Sequence, residues 1–345
     1  MPLPRKLTPE SRINLVYTSS MLSPTEAKHF ERNLKALQKD YPLTGLLEPK
    51  HEGLAPFYLA GSERERLRLL RRAFKDGDWI LPVTGGTGCI DVLRYLNDAD
   101  ISIIKQRAPI VSGFSDATAL ANFLYFKARL CTFVHDNADS LLDSSYAKLF
   151  FSVLKGEKES VTFDDPKAHW LTKATPEKPI EGIAIGGNFS TFRDLLEVCE
   201  IRPRSWEPFI LFIEELDADI EDLHRIIIAL DARGIFKHIV ALVVGRMDDR
   251  EHARDIQQFL FGRNPKKSNE VKGMKNVFEY LISDVIDDRM EEHDPLYILK
   301  TNEFGHMKEN NAKKMFVPIG ARTRIHPDGT IEFIGPFVSD EENDS

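Results

Sequence analysis

The feature that most constrains this chain is the regular exchange, from Ile13 to about Leu124, of short apolar runs with amphipathic stretches. Ile13 to Tyr17 is apolar and ends in Thr18-Ser19-Ser20. Ser62-x-x-Glu65 has capping-box spacing, in which each side chain takes the other's backbone N–H. It predicts a helix with Leu67, Leu70 and Phe74 on one stripe. Asp76-Gly77-Asp78 closes that helix, Trp79 to Val83 reads as a buried strand, and Thr84-Gly85-Gly86-Thr87-Gly88 turns the chain. Ile90, Leu93, Tyr95 and Leu96 suggest a further helix. Pro109 to Val111 is a strand leading to Gly113-Phe114-Ser115-Asp116, and Ala117, Leu120, Ala121 and Leu124 share the next helical face. This alternation indicates a mostly parallel sheet covered by helices, since parallel neighbours need a crossover.

A chain of 345 residues, at roughly 150 residues per domain, is expected to form about two domains. The composition shifts between Asp164 and Lys178, a polar stretch with Pro166 and Pro176 that reads as a connection. The expected division is residues 1–165, a linker 166–179, and residues 180–345. In the second part Ile183-Ala184-Ile185 precedes Gly186-Gly187-Asn188, and Phe209 to Ile213 is a strand. Asp219 to Arg233 predicts a helix with Ile220, Leu223, Ile227 and Leu230 inward and Gly234 just past its end. Ile239 to Val244 is another strand. Met315–Ile319 and Thr330–Ile334 flank the turn signature His326-Pro327-Asp328-Gly329, which predicts a hairpin. Residues from Ser339 onward form an acidic tail expected to fray.

Lys plus Arg number 46 against 54 Asp plus Glu, a net charge of -8. That balance argues against a nucleic acid polymer or an anionic membrane as the main partner, because both require a basic footprint. Cys89, Cys131 and Cys199 are far apart and form no C-x-x-C pair, which argues against a disulfide framework or structural zinc and for a reducing compartment. The basic N-terminus has no apolar stretch behind it, and no apolar run approaches the roughly 20 residues of a membrane helix. A cytoplasmic location is expected. The 10 histidines form no H-E-x-x-H pair, Glu291-Glu292-His293-Asp294 reads as solvated surface, and no metal or cofactor is expected.

Several positions could carry chemistry. Ser115 stands at a strand-to-helix turn, which lifts a hydroxyl off the sheet toward backbone N–H donors at a helix start. By spacing alone the plainer reading of Ser115 or Asp116 is an N-cap, and G-x-S-x-G is incomplete. The Gly85-Gly86 turn could expose N–H donors as an oxyanion hole does, or be simply a tight turn; it is neither a Walker A loop nor G-x-G-x-x-G. Glu214, with Glu215 beside it, stands where the Phe209–Ile213 run ends. It could orient a histidine or be a solvated acid before a helix. His306 follows Gly305 in a loop between two strand-like runs, a setting where functional residues concentrate, although by sequence alone the plainer reading is a surface histidine.

In order along the chain, these segments resemble the LD-carboxypeptidase family of serine peptidases, which includes the microcin C self-immunity peptidases. The resemblance rests on Ala60-Gly61-Ser62, Gly85-Gly86, Gly113-Phe114-Ser115-Asp116-Ala117-Thr118-Ala119-Leu120, Gly186-Gly187-Asn188, Leu211-Phe212-Ile213-Glu214-Glu215, and Gly305-His306 leading to Pro318-Ile319-Gly320. It implies an N-terminal parallel-sheet α/β domain bearing the serine and a C-terminal mixed β/α domain bearing glutamate and histidine, with the cleft between them. It further implies Ser115 as nucleophile, His306 as general base and acid, and Glu214 as the group orienting His306. Backbone N–H groups of Gly86 and Asp116 would form the oxyanion hole. No metal is implied, and a homodimer is. Three departures from the family pattern bear on the substrate. Thr84 stands where an arginine is usual, His135-Asp136-Asn137 where a small Gly-Pro-type turn is usual, and the His306–Pro318 loop is long and charged (Lys308, Glu309, Lys313, Lys314).

The expected activity is serine-type hydrolysis of an L,D amide bond in a small peptide, such as the terminal D-Ala of a murein tetrapeptide. The alternatives are an amidase acting on aminoacyl-nucleotides, which Thr84 suits better, and a non-catalytic binding protein on the same fold. Asp217, Asp219, Glu221 and Asp222 would repel a phosphate.

Overall fold

The computed structural model describes residues 2–45, 58–172, 175–201, 207–216, 220–248, 296–307 and 312–340. The N-terminal half runs β1 (Ile13–Val16), α1 (Pro24–Leu37), β2 (Leu43–Thr44), α2 (Glu63–Asp76), β3 (Trp79–Pro82), α3 (Cys89–Leu93), α4 (Asp98–Arg107), β4 (Ile110–Gly113), α5 (Thr118–Ala128), β5 (Thr132–Val134) and α6 (Ala147–Leu154). The Ser62 box forms as expected: Ser62 Oγ accepts from the Glu65 N–H at 3.3 Å, and Glu65 Oε2 accepts from the Ser62 N–H at 3.1 Å. Ser23 with Glu26 starts α1 in the same way, with Pro24 in its first turn, and Asn97 with Asp100 starts α4. The apolar-stripe reading passed over both helices. In contrast α3 is short, and Tyr95, one of the residues that suggest it, lies beyond its end and is 45% exposed.

The strands β2-β1-β3-β4-β5 are parallel neighbours in that order. Successive strands therefore step outward in opposite directions from the β1/β3 boundary. In open sheets a crevice lies outside the carboxyl ends at such a boundary, because the two adjacent crossovers leave on opposite faces. The turns that follow β1, β3 and β4 carry Thr18–Ser20, Thr84–Gly88 and Ser115.

The chain continues with β6 (Ser160–Phe163), β7 (His169–Trp170), β8 (Ile180–Asn188), α7 (Phe189–Val198), β9 (Phe209–Leu216), α8 (Ile220–Ala232), β10 (Ile239–Asp248), β11 (Tyr297–Lys300), β12 (Val317–Ile319), β13 (Arg322–Ile325) and β14 (Ile331–Ile334). The second sheet has the order β6-β14-β13-β8-β9-β10-β11-β7. Its centre, β8-β9-β10-β11, is parallel and its flanks are antiparallel, so the expected pair of a parallel-sheet domain and a mixed domain is present. The halves interlock. β6 and β7 belong to the second sheet, whereas β12 returns to pair antiparallel with β5 in the first. Helix α5, buried on almost every side, binds β8 through Asn122, whose amide exchanges two hydrogen bonds with the backbone of Gly186 at 2.8 and 2.9 Å.

The expected hairpin needs correction. Its turn is real, with Gly329 at φ +89°, but the strand paired with β14 is β13, not Met315–Ile319. Arg322 and Arg324 hide β13 from a hydrophobicity reading, although the pleat buries the alternate Thr323 and Ile325. The other apolar run is drawn into the first sheet. Helix α8 buries Leu223, Ile226, Ile227 and Leu230. Asp217, Asp219, the side chain of Ile220, the Glu291–Asp294 cluster, Lys308, Glu309 and the tail beyond Asp340 lie outside the described residues. Among the described residues no helix is long and apolar enough to cross a membrane.

Where β5 ends, His135 is fully buried against the rings of Phe150 and Phe316, and neither ring nitrogen has a hydrogen-bond partner among the described residues. Desolvation lowers its pKa to about 4, with Lys314 adding to the effect and Asp136 opposing it. Such a histidine is neutral when folded and protonates near pH 6.5 when unfolded, so stability is full above that pH and falls as the pH drops toward 4. The total loss is about 3 kcal/mol. His135→Leu is expected to flatten this acid limb in urea titrations at pH 7 and pH 4.5. An unchanged difference between the two pH values would show that another group sets it.

Candidate active site

The nucleophile turn is shaped by close packing. A Cβ at Gly113 would lie 2.6 Å from the Ala117 Cβ, so the turn from β4 closes only around glycine. Ser115 then adopts φ +60°, the left-handed region that a non-glycine residue enters at a cost of about 1–2 kcal/mol. Asn137 holds the preceding residue on both sides: its Oδ1 accepts from the Phe114 N–H at 2.9 Å, and its Nδ2 donates to the Phe114 carbonyl at 3.2 Å. Asp116 is buried and accepts from the Cys89 N–H at 2.8 Å, tying this turn to the start of α3. Burial raises its carboxyl to about 6, against the opposing pull of Ser19, the Cys89 N–H and Arg66.

The glycine turn lies against the serine. A Cβ at Gly85 would come within 3.0 Å of the Ser115 Cβ and 3.3 Å of its Oγ. Gly86, at φ +100°, leaves room only for Ser20, whose Oγ accepts from the Thr87 N–H at 3.1 Å. Among the described residues no protein acceptor takes the N–H of Gly86 or of Asp116. Behind the turn stands Arg66, a guanidinium on α2 with 1% exposure. It donates to the carbonyls of Thr18 and Gly88, each at 2.6 Å, and to Asp91 at 3.1 Å. Arg66→Met would strand both carbonyls, with an expected loss of about 2–4 kcal/mol in urea unfolding. A loss below about 0.5 kcal/mol, the size of a surface change, would contradict this bracing role.

Glu214 is the clearest departure from the solvated-acid alternative. Strand β9 runs on to Leu216, and Glu214 is fully buried in it. Its Oε2 accepts from His306 Nδ1 at 2.6 Å and from the His306 N–H at 3.2 Å, and its Oε1 accepts from Asn188 Nδ2 at 3.3 Å. Gly305 makes this approach possible: at φ +120°, a Cβ there would lie 3.2 Å from the Glu214 Cβ. Glu215 has a different task. It accepts from Asn188 Nδ2 and from the Ser190 backbone at the start of α7, where an anion is favoured.

Ser115 and His306 line one cavity of about 980 Å³, together with Gly85, Gly86, Asn188 and Lys314. The His306 ring lies 4.7 Å from that of Phe114, the residue before Ser115, with Nδ1 committed to Glu214 and Nε2 without a hydrogen-bond partner among the described residues. No hydrogen bond of 3.5 Å or less joins His306 to Ser115, and catalytic contacts often tighten only around substrate. Of the five expected positions, Gly86, Ser115, Asp116 and His306 line one cleft, and the fifth, Glu214, is buried behind it and bonded directly to His306. Thr84, buried here, faces Asp139, whose carboxyl burial raises above its usual range. Arg66 escaped sequence reasoning, because its partners lie far along the chain, and Asn137 and Lys314 stood in segments noted only as departures from the family pattern. Asn188 stood in a quoted motif without a role.

The same architecture occurs in solved structures. The microcin C7 self-immunity protein MccF superposes over 98% of this chain and 100% of its own with a TM-score of 0.73 at 21% identity. Muramoyltetrapeptide carboxypeptidase from Oxalobacter formigenes covers 95% and 100% with a TM-score of 0.69 at 19% identity. These likenesses are of fold. Among curated relatives, MccF of Escherichia coli is 24% identical over 264 residues, 68% of this chain and 75% of its own. A probable murein peptide carboxypeptidase of Bacillus subtilis (strain 168) is 28% identical over 197 residues, 54% and 58% respectively. The shared architecture is a two-domain α/β fold, a parallel-sheet domain followed by a mixed-sheet domain. The LD-carboxypeptidase N-terminal domain matches residues 13–135 and the C-terminal domain residues 181–325, so the chain belongs to the LD-carboxypeptidase (peptidase S66) family.

Proposed function

We propose that this protein is a serine carboxypeptidase that hydrolyses an L,D amide bond in a small peptide, with a murein tetrapeptide as the type of substrate. The observation that carries the reading is the buried Glu214 carboxylate at 2.6 Å from His306 Nδ1, in the cavity that Ser115 also lines. Glu214 fixes the tautomer with the proton on Nδ1 and stabilises the imidazolium that forms later. The free Nε2 takes the Ser115 proton as Oγ attacks the amide carbon. Charge on the carbonyl oxygen is met by the Gly86 and Asp116 N–H groups. His306 returns the proton to the leaving amine, and water activated by the same nitrogen cleaves the acyl-enzyme. The left-handed Ser115 supports this role, because backbone strain of this kind concentrates at reactive positions.

The acids lining the cavity repel the phosphate of an aminoacyl-nucleotide and the terminal carboxylate of a peptide alike, so turnover decides between the two substrates. Turnover of an L,D-tetrapeptide and of an aspartyl-sulfamoyl adenylate by purified protein tests the choice. Cleavage of the peptide is expected; cleavage of the nucleotide alone would move the protein to the immunity-type reading, and cleavage of neither would leave only a binding function. The family resemblance also supports a cytoplasmic homodimer, which light scattering would register as twice the chain mass.

A further inference from the structure

The cavity presents an electrostatic difficulty for a carboxypeptidase. Its substrate carries a terminal carboxylate only three bonds from the scissile carbonyl carbon, under about 4.3 Å away. Eight Asp and Glu side chains line the cavity, and they would repel that group. Among the described residues the permanently cationic side chains lining it are Arg193 and Lys314. Arg193, on α7, spends its guanidinium on its own neighbour, with Nε 2.7 Å from Asp194 Oδ1. Lys314 is placed differently. It is 8% exposed, and its ammonium stands 3.4 Å above the Phe114 ring, which is both the residue before Ser115 and the ring packed on His306. One N–H is given to Asp136, itself buried. An ammonium has three donors, so donor capacity remains at the cavity wall beside the reacting serine.

Resting on the carboxypeptidase reading, we infer that Lys314 is the specificity-determining residue that receives the terminal carboxylate, with Asp136 holding the ammonium in place. The pair is oriented from both sides. Ser144 Oγ donates to the Lys314 carbonyl at 3.3 Å, and the Met315 N–H donates to the Glu303 carbonyl at 2.6 Å, fixing the backbone on both sides of the Lys314–Met315 peptide. A ring face and a carboxylate together hold the lysine immobile, so that it meets an incoming anion without reorganising. An L,D-peptide amidated at its C-terminus loses this contact and also its repulsion from the acids.

The test compares kcat/KM for one L,D-tetrapeptide with a free C-terminus and for its C-terminal carboxamide, in wild type, Asp136→Asn, and the double variant Asp136→Asn/Lys314→Met. The double variant avoids stranding a buried carboxylate, and the ratio corrects for any general loss of active protein. Wild type is expected to prefer the free carboxylate by at least about 30-fold. Asp136→Asn, which keeps the cation and removes a competing anion, should retain or raise that preference. The double variant should bring it within about 3-fold of unity, since the discriminating charge is gone. A preference retained by the double variant, or lost already in Asp136→Asn, overturns the inference: the first outcome removes Lys314 from recognition, and the second makes the pair a structural brace. If wild type cleaves both peptides equally, the inference fails alone; if it cleaves neither, the carboxypeptidase reading itself fails.

Discussion

Ser115→Ala is expected to lower kcat by about 10⁴- to 10⁶-fold, the loss typical of removing a nucleophile that works as a unit with its base. Folding should survive, because the hydroxyl makes no hydrogen bond among the described residues, so no buried partner is orphaned. A companion variant separates chemistry from architecture. Ser115 holds φ +60°, which costs a side chain about 1–2 kcal/mol and costs glycine almost nothing. Ser115→Gly should therefore be equally inactive yet more stable than Ser115→Ala by about 1 kcal/mol in urea unfolding, less any entropy lost from the unfolded chain. A nucleophile turn that is both inactive and relaxed in the glycine variant identifies stored strain as part of the site. Equal stabilities, or persistent turnover, would contradict that account.

Glu214→Gln is expected to reduce kcat by about 10⁴-fold with little change in shape, as when the acid of a hydrolase triad is made neutral. The reason is geometric. Glu214 Oε2 accepts from two donors of one residue, His306 Nδ1 at 2.6 Å and the His306 backbone at 3.2 Å. An amide can offer its NH₂ to the ring and so favour the wrong tautomer, with the proton on the nitrogen that must act as base. Glu214→Ala should be worse for stability as well, because Asn188 Nδ2 and the His306 N–H lose a buried acceptor, a cost of about 1–3 kcal/mol for each group left unsatisfied. Circular dichroism and unfolding of both variants, beside their kinetics, test the distinction. A Gln variant within about 10-fold of wild type would remove Glu214 from the mechanism.

Much of the architecture was legible where local signals dominate. The Ser62 capping box, the strand before the glycine turn and the α5 stripe all stand where their residue patterns place them. Start signals were present also for α1 and α4, in Ser23 with Glu26 and Asn97 with Asp100, but α4 has too weak an apolar face for periodicity to find it. The pairing of β12 with β5 rather than β14 was not legible, because a one-dimensional turn signal carries no information about which sheet edge is vacant. The candidate site divides in the same way. Ser115, Glu214 and His306 sit in recognisable local contexts. Arg66 carried no signal and Lys314 counted only as one charge of a long loop, because a buried cation is stabilised only by partners that folding brings together: the carbonyls of Thr18 and Gly88 for one, and Asp136 with the Phe114 ring for the other.

The central claim is that the Ser115 hydroxyl becomes a covalent nucleophile because a Glu214-held imidazole takes its proton. Intact-protein mass spectrometry after incubation with a fluorophosphonate, which reacts with an activated serine, measures this most directly. The expected result is one adduct per chain, mapped to Ser115, absent in Ser115→Ala and formed far more slowly in His306→Ala and Glu214→Gln. An adduct elsewhere, or the same rate at Ser115 with the imidazole removed, would contradict the account.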